Sequence, residues 1–465
     1  MSRELAQPLA KDPVIDRSLR HSIKDGVYFS AMIGSAESYF AAFAVFLKAS
    51  AAQIGMLAAL PPVLASFSQL LSAWLGRRLG QRRKIIVFGA LLQAAALIPL
   101  ALLPLAFPAH ALPLLILCTV VYFIGPNLGA PQWGSLMGDL VPESRRGRFF
   151  ALRTRYSSLA NFGALIAAGL ILQLFDSADA TRIGFVCLFV SAALLRLASA
   201  WHLSRMLDPP GHVAAIDMPW HAGLWRDLRG TGLLKFSLFF AAMQVAVAIA
   251  SPFFALYMLR DLGFSYMAFM FNTAASVCVQ FLTLARWGRL SDLFGNRLIL
   301  VTTGAIIPFL PAFWLLSTHY VYLLGVQMVS GLVWAGFTLS ATNSVFDLTP
   351  REKRATLMAT HNVLAAGGVF AGAVIGGFLG SWLPSQITLF GTTFGWLTPL
   401  YGVFLLSCLA RLAVVAAFLP RLKELRKFRP MTGSGLIFRV TRLHPVSSAV
   451  FETVGRFKRP KNDEH

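Results

Sequence analysis

Charge is what this sequence has little of. Only 13% of its 465 residues are Asp, Glu, Lys or Arg, against about 25% in soluble domains. That excludes an ordinary soluble chain of this length. Acidic groups are the scarcer sign, with 20 Asp and Glu against 41 Lys and Arg, a formal net charge of +21. Cysteine is sparse too. Cys118, Cys187, Cys278 and Cys408 fall in four different apolar runs with no metal-ligand spacing, so they read as packing residues. GxxxxGK[ST], HExxH and GxSxG are all missing. An ATP-driven pump or a motif-bearing hydrolase therefore has no support, and neither an enzyme activity nor a cofactor or metal is expected.

Apolar residues are what the chain has instead, 56% of the total. They gather in runs long enough to cross a hydrocarbon core of about 30 Å as helices. Twelve are read, at about 26–47, 52–76, 85–107, 112–138, 149–174, 183–203, 233–259, 266–290, 298–318, 321–346, 355–380 and 398–419. Pro61-Pro62 and "GPNLGAP" (125–131) interrupt some of them, which spanning helices tolerate. The first run is too long for the apolar region of a signal peptide, so it is expected to stay as an anchor. The expected organisation is a cytoplasmic segment 1–25, a six-helix half 26–203, a linker 204–232, a second half 233–419 and a basic tail 420–465.

The placement of the positive charge argues against nucleic acid as its partner. Arg and Lys crowd alternate connections, at "GRRLGQRRK" (76–84), "ESRRGR" (143–148), Arg205 to Lys235, Arg286 to Arg297, "REKR" (351–354) and beyond Arg421. The opposite connections hold little beyond Lys48, Arg182 and Arg260. This positive-inside pattern places both termini in the cytoplasm, in a multi-pass protein of a bacterial inner membrane. The tail serves either as an orientation signal or as a contact for anionic lipid headgroups. The linker contains "DMPWHAGLWRDLRG" (217–230), with the composition of a short amphipathic surface helix.

The second half repeats the first. "LKASAAQIGMLAALPPVLASFSQLLSAWLGRRLG" (47–80) aligns with "LGFSYMAFMFNTAASVCVQFLTLARWGRLSDLFG" (262–295) at an offset of 215. "GDLVPESRRG" (138–147) aligns with "FDLTPREKRA" (346–355) at 208, matching Asp139, Pro142 and Arg146 to Asp347, Pro350 and Arg354. Arg196 falls over Arg411, again at 215. Parallel repeats of this kind put a binding site near the midplane, at their interface.

With these motifs the chain resembles the major facilitator superfamily of secondary transporters over nearly its whole length. The turn after the second helix in that family reads roughly G-x-x-x-D-R-x-G-R-R. Gly288, Asp292, Gly295 and Arg297 keep it in the second half, whereas the first half has Ala73 and Arg77 at the Gly and Asp positions but retains Gly80, Arg82 and Arg83. The resemblance implies an all-α membrane fold of twelve helices in two pseudo-symmetric halves. It also implies a cytoplasmic gate built from Arg82, Arg83, Asp139, Arg146, Asp292, Arg297, Asp347 and Arg354, the alternative being solvated loop charges. The family's drug/proton antiporters carry a Gly-Pro signature in helix five, which "SSLANFGALIAAGLIL" (157–172) lacks.

Helices one, four, seven and ten are expected to line the cavity, flanked by two, five, eight and eleven. The polar and aromatic candidates there are Asn127, Gln132, Trp133, Gln244, Asn272, Ser276, Gln280, Trp334, Thr338 and His361, with Ser30 and Glu37 on helix one. For each Asn or Gln, an interhelical hydrogen bond of about 1 kcal/mol competes with substrate contact. Asn272, Ser276 and Gln280 form one polar stripe on helix eight. His361 matches Arg153 by repeat. Arg153 and Arg155 read as vestibule residues or as positive-inside charges, and Arg196 and Arg411 as structural. Glu37 is the one carboxylate placed at mid-membrane, where such a group faces a cavity or a partner. It reads either as a proton-coupling site or as a strut to a neighbouring helix.

With no basic residue placed at the midplane, a neutral, zwitterionic, cationic or amphipathic small molecule is expected as substrate, moved with protons by a monomer. A passive facilitator, a lipid translocator and a non-transporting membrane sensor are the alternatives on the same fold.

Overall fold

The computed structural model describes residues 9–10, 12–106, 110–142, 146–209, 224–350, 354–383, 386–389, 392–395 and 397–418. Each apolar run becomes a spanning helix: α1 Pro13–Phe46, α2 Ala51–Leu79, α3 Arg82–Ala106, α4 Ala111–Leu140, α5 Arg146–Asp176, α6 Thr181–Ser204, α7 Leu233–Asp261, α8 Tyr266–Phe294, α9 Asn296–Leu316, α10 Tyr320–Leu348, α11 Arg354–Trp382 and α12 Leu400–Phe418. The linker adds a short helix, Leu224–Gly230, with Leu228 fully buried against the second half. The rest of the expected surface helix, and the basic tail, lie outside the described residues.

The repeat is visible in how helices begin and end. Ser50 caps α2 by accepting from Gln53 N, in a capping box with the Gln53 side chain. Ser265 caps α8 by accepting from Ala268 N. Both helices finish on glycines of positive φ, Gly80 at 63° and Gly295 at 87°, a conformation that other residues reach only with strain. α1 and α7 break at repeat-related positions. In α1 the helix Pro13–Ser35 gives way to a 3₁₀ turn, Glu37–Tyr39, before resuming at Phe40. In α7 the helix stops at Ala248 and resumes at Phe253 after Pro252.

Two features depart from expectation. α1 starts at Pro13, well before residue 26, because Asp12 caps it through Val14 N (2.8 Å) and proline suits the first helical turn. The polar residues of its first turns, Ser18, Ser22 and Asp25, are buried. A small antiparallel hairpin, β1 Gln386–Leu389 with β2 Thr392–Gly395, also stands between α11 and α12 in the otherwise helical fold.

Among the described residues, the halves α1–α6 and α7–α12 share an apolar core at one end and not at the other. At the joined end a large apolar core draws on both, Tyr39, Phe40 and Phe43 with Phe253, Leu256, Tyr257, Phe269 and Met270, and a small one joins Ala59 to Ala248 and Ala373. Small residues bring the helices close. A Cβ at Gly55 would lie 2.6 Å from the Ala373 carbonyl oxygen and 2.9 Å from Gly377 Cα. Ala52 N donates to Ser381 Oγ (3.2 Å), and Met267 N donates to Gln173 Oε1 (3.2 Å). At the opposite end, which carries the basic turns, the cores separate by half. Leu19, Ile23, Leu136, Phe149 and Leu203 form one, and Leu233, Phe236, Phe239 and Val345 another. The Gly368, Gly372 and Gly376 row packs within the second half, where added Cβ atoms would meet the carbonyls of Ala241, Val245 and Ile249 at 2.5, 2.1 and 2.1 Å.

Candidate functional site

Buried charge gathers around a cavity of about 420 Å³ in the first half, lined from α1, α3, α4, α5 and α6. Asp25 on α1, only 4% exposed, is its centre. One carboxylate oxygen accepts from Arg153 Nη2 on α5 (3.3 Å), the other from Ser199 Oγ on α6 (2.7 Å). Ser199 in turn accepts from Arg196 Nη1 (2.6 Å), so its hydroxyl relays between carboxylate and guanidinium. Arg153 also donates to the Ser22 carbonyl (3.2 Å) and lies over the Trp133 ring (4.5 Å). Arg196 lies over Phe29 (4.6 Å). Such stacking steadies a desolvated cation by about 0.5–2 kcal/mol. Helix spacing explains the assembly. Arg153, Ser157 and Asn161 form a stripe on α5, and Ser22, Asp25 and Phe29 a matching face on α1. The two faces approach closely, for a Cβ at Gly26 would lie 2.8 Å from Ser157 Oγ.

Several polar atoms at this cavity have no hydrogen-bond partner among the described residues: Trp133 Nε1, Ser157 Oγ, Asn161 Oδ1 and Arg196 Nε. Buried groups left this way cost about 1–3 kcal/mol each unless something fills the site. Thr154 at the rim is exposed. One turn towards the basic end, His21 and His202 pair through their Nδ1 atoms (2.9 Å), with Tyr28 stacked on His202.

Of the expected cavity residues, Ser30 and Trp133 line this cavity. Asn127 accepts from Gln69 (2.7 Å) and donates to the Phe123 carbonyl (2.9 Å), tying α4 to α2. Gln132 donates to the Ser72 carbonyl (2.9 Å) in the same helix pair. In the second half, Asn272 is fully buried, with both amide atoms unpartnered among the described residues. Ser276 sits where its carbonyl would crowd any side chain at Gly331, and Gln280 is half-buried. Gln244 packs against Gly368, Trp334 meets Phe337 edge-on, and Thr338 donates to the Trp334 carbonyl (2.7 Å). His361 is buried, bonded to Ser237 Oγ (2.9 Å) and packed on Phe236 and Phe240.

Glu37 stands apart from the cavity. About 18 Å of helix separates it from Asp25. It lies on the joined-end side of α1, not at its middle, because the helix starts so early. Tyr122 on α4 donates to its carboxylate (3.1 Å), and Phe40 packs edge-on to Tyr122. Nor is Glu37 the one carboxylate inside the spans, since Asp25 is another. The missed signal was the polar spacing of Ser18, Ser22 and Asp25 ahead of the apolar run. The stripe Arg153, Ser157, Asn161 was missed likewise. The spans also do hold inward-reaching basic groups, because Arg153 and Arg196 are drawn to Asp25.

At the basic end, Arg82 is 1% exposed. It donates to Asp139 (2.6 Å), Asp208 (3.2 Å), Ser135 (3.0 Å) and the Pro209 carbonyl (3.2 Å). Arg83 donates to the Met206 carbonyl (2.9 Å) and its backbone N–H to Asp208 (2.9 Å). These bonds fasten α3, α4 and the segment after α6 within one half. Asn296 donates to Asp347 (3.3 Å) in the other half. Arg297 at the start of α9 also has a partner. The side chains of Arg146, Asp292 and Arg354 lie outside the described residues.

A family model described as Major Facilitator Superfamily matches the chain twice, over residues 26–249 and 236–460. The chain belongs to the major facilitator superfamily. Solved structures agree on the superfamily fold. A D-xylose–proton symporter aligns with a TM-score of 0.67 at 15% identity, covering 86% of this chain and 97% of that one. The nucleoside transporter NupG gives 0.63 at 14% identity, covering 89% and 100%. A bacterial homologue of the iron transporter ferroportin in an inward-facing state gives 0.65 at 14%, covering 92% and 99%. No curated protein matches the chain by sequence. This superfamily member is thus a multi-pass membrane protein of a transporter family.

Proposed function

We propose that this protein is a secondary active transporter that carries a small organic solute by alternating access. The observation behind this reading is the one-ended junction of the halves: a shared apolar core at one end, separate cores at the other. A solute path that is sealed on one side and open on the other is what alternating access requires. The positive-inside pattern sets the parted end and both termini in the cytoplasm, so this conformer is the inward-open one of a bacterial inner-membrane protein. It works as a monomer, with membrane lipids around it.

Coupling to protons is part of the reading. A concentrative transporter needs a group that changes charge within the pathway. Glu37 is half-buried beside the seal and bonded to Tyr122, with no cation paired to it among the described residues. Opening of the seal brings water to it, and a proton exchanges there. The gate residues Arg82, Asp139 and Asp347 stiffen the helix tips that close at the cytoplasmic end in the other conformer.

The test is flux in proteoliposomes holding the purified protein, with a panel of small solutes and an imposed pH gradient. Accumulation that follows the gradient is the expected result. Downhill flux indifferent to pH would make it a facilitator, movement of labelled phospholipid a lipid translocator, and no flux of any kind a sensor.

A further inference from the structure

Around the first-half cavity the charges do not balance. Its ionisable lining is Asp25, Arg153 and Arg196, two guanidinium groups to one carboxylate. Arg153 reaches Asp25 directly, at 3.3 Å. Arg196 reaches it only through Ser199 and rests on the Phe29 ring. The flanking titratable pair on α1 and α6, His21 and His202, bond to each other, and Lys24 on α1 is exposed. Among the described residues, one positive charge at the cavity therefore lacks a counter-charge. Beside it stand unpartnered donors, Arg196 Nε and Trp133 Nε1, and the Ser157 hydroxyl. The remaining wall, Phe29, Ile33 and Pro126, is apolar.

We infer that this cavity is a binding subsite for the carboxylate group of a singly charged, partly apolar solute. A monoanion neutralises the surplus charge and lays its apolar part on Phe29 and Ile33, and small side-chain movements bring it the unpartnered donors of Arg196, Trp133 and Ser157, which are closed off as the cavity stands. Asp25 is the resident counter-ion that holds the guanidinium groups in place and limits the site to one negative charge. Such a solute falls at the amphipathic end of the neutral, zwitterionic, cationic or amphipathic range expected from the sequence.

The repeat supplies a comparison within the chain. At the offsets of 215 and 208, Ser22, Asp25, Arg153 and Ser199 correspond to Ser237, Phe240, His361 and Val414. The second half keeps the bond between its serine and the α11 side chain, Ser237 to His361. It replaces the carboxylate with a phenyl ring and the relay serine with valine. Arg411 there donates to the carbonyls of Ile307 (3.2 Å) and Val247 (3.4 Å). The fold accommodates this corner without the carboxylate, so the ionic set in the first half is not demanded by packing.

The experiment is calorimetric titration of the detergent-purified full chain with acetate, hexanoate, decanoate and benzoate, each against its primary amide. At least one carboxylate is expected to bind about 10- to 100-fold more tightly than its amide, the range of charge-assisted hydrogen bonds. Arg153→Gln and Arg196→Gln should each remove most of that preference while changing amide binding less than about twofold, and Asp25→Asn should tighten carboxylate binding. If Arg196→Gln fails to fold, Arg196→Lys keeps the charge but not the fork, and should retain only part of the preference. Equal binding of every carboxylate and its amide overturns the inference, as does a preference that survives in both arginine variants. Weaker carboxylate binding in Asp25→Asn overturns the role of Asp25. The inference rests on the transporter reading only in calling the ligand a solute, since the titration needs no transport. Carboxylate binding without flux would remove the transporter reading and leave the site; flux without carboxylate preference would remove the site alone.

Discussion

Adding one methyl group at Gly55 should tip the conformational equilibrium. Gly55 on α2 faces α11 of the other half at the joined end, and a Cβ there would sit 2.6 Å from the Ala373 carbonyl oxygen and 2.9 Å from Gly377 Cα. Both obstacles are backbone, so no rotamer change relieves them and the helices must separate. Overpacking of this kind costs about 1–3 kcal/mol. The cost falls only on the conformer in which α2 and α11 touch, so Gly55→Ala should shift the ratio of conformers about 5- to 150-fold away from the one described here. The gain of about 0.5–1 kcal/mol in helix propensity applies to both conformers and cancels in the ratio. Spin labels at Asp179 and Thr318 read the outcome. Both residues are exposed at the joined end, one in each half, and labels go onto a chain whose four cysteines have been replaced. Double electron–electron resonance should show a longer distance population growing in Gly55→Ala. Gly372→Ala is the control, because its clash is with the Val245 carbonyl, inside one half; it should lower thermal stability and leave the distance ratio alone. An unchanged distribution in a folded Gly55→Ala protein would refute the idea that this contact belongs to one conformer only.

Other expectations follow from the same structure. Glu37→Gln keeps the shape of the side chain and the Tyr122 hydrogen bond while removing titration; solute accumulation driven by a pH gradient should fall at least about tenfold, since each ~1.4 kcal/mol of lost coupling is a factor of ten, with exchange and binding preserved. Normal gradient-driven accumulation would leave Glu37 a strut. Asp347→Asn, alone or with Asp292→Asn, should slow cycling and disfavour closure at the basic end, with solute affinity changed less than about twofold; cycling at the wild-type rate would reduce these turns to orientation signals. Cysteines placed at positions 212 and 445 of a Cys-free chain should react only with reagents that cross the membrane, and labelling from the periplasm would reverse the assigned topology.

The sequence made the architecture legible because membrane helices and repeats write themselves in long, redundant signals. Twelve apolar runs are hard to miss, and the 215-residue offset reappears as paired serine caps at Ser50 and Ser265 and paired turn glycines at Gly80 and Gly295. The site was less legible. Hydropathy excluded the first turns of α1 because Ser18, Ser22 and Asp25 are polar, yet they are buried against polar partners on neighbouring helices. A hydropathy scale has no term for a partner on another helix. The α5 stripe is open to the same spacing argument that finds Asn272, Ser276 and Gln280 on α8, while its arginine taken alone reads equally as a vestibule residue or an orientation charge. Asn127 and Gln132, plausible by type, proved to tie α4 to α2, and which of two faces a side chain takes is set by neighbours far away in sequence. The break at Glu37 and the hairpin Gln386–Leu389 with Thr392–Gly395 likewise depend on tertiary context.

The distribution of bonds by strength argues for halves that move as bodies. Inside the first half, charge-assisted hydrogen bonds join α1 to α5 and α6 through Asp25, and α3 to α4 through Arg82 and Asp139. Inside the second half, Arg411 on α12 holds carbonyls of α7 and α9, and His361 on α11 holds Ser237 on α7. Bonds to charged groups are worth about 1.5–3 kcal/mol each, and parting buried ionic partners costs more. Among the described residues, the contacts between the halves are of another kind: glycines against backbone, aromatic edges, and neutral hydrogen bonds to Ser381 and Gln173. Neutral bonds of that sort contribute only about 0.5–1.5 kcal/mol each, because water replaces them when they open. A displacement between halves thus breaks the weak set and spares the strong one. The least costly internal motion is rocking of α1–α6 against α7–α12, and the helix breaks at Ala36 and Ser251 sit beside the seal that such a motion opens.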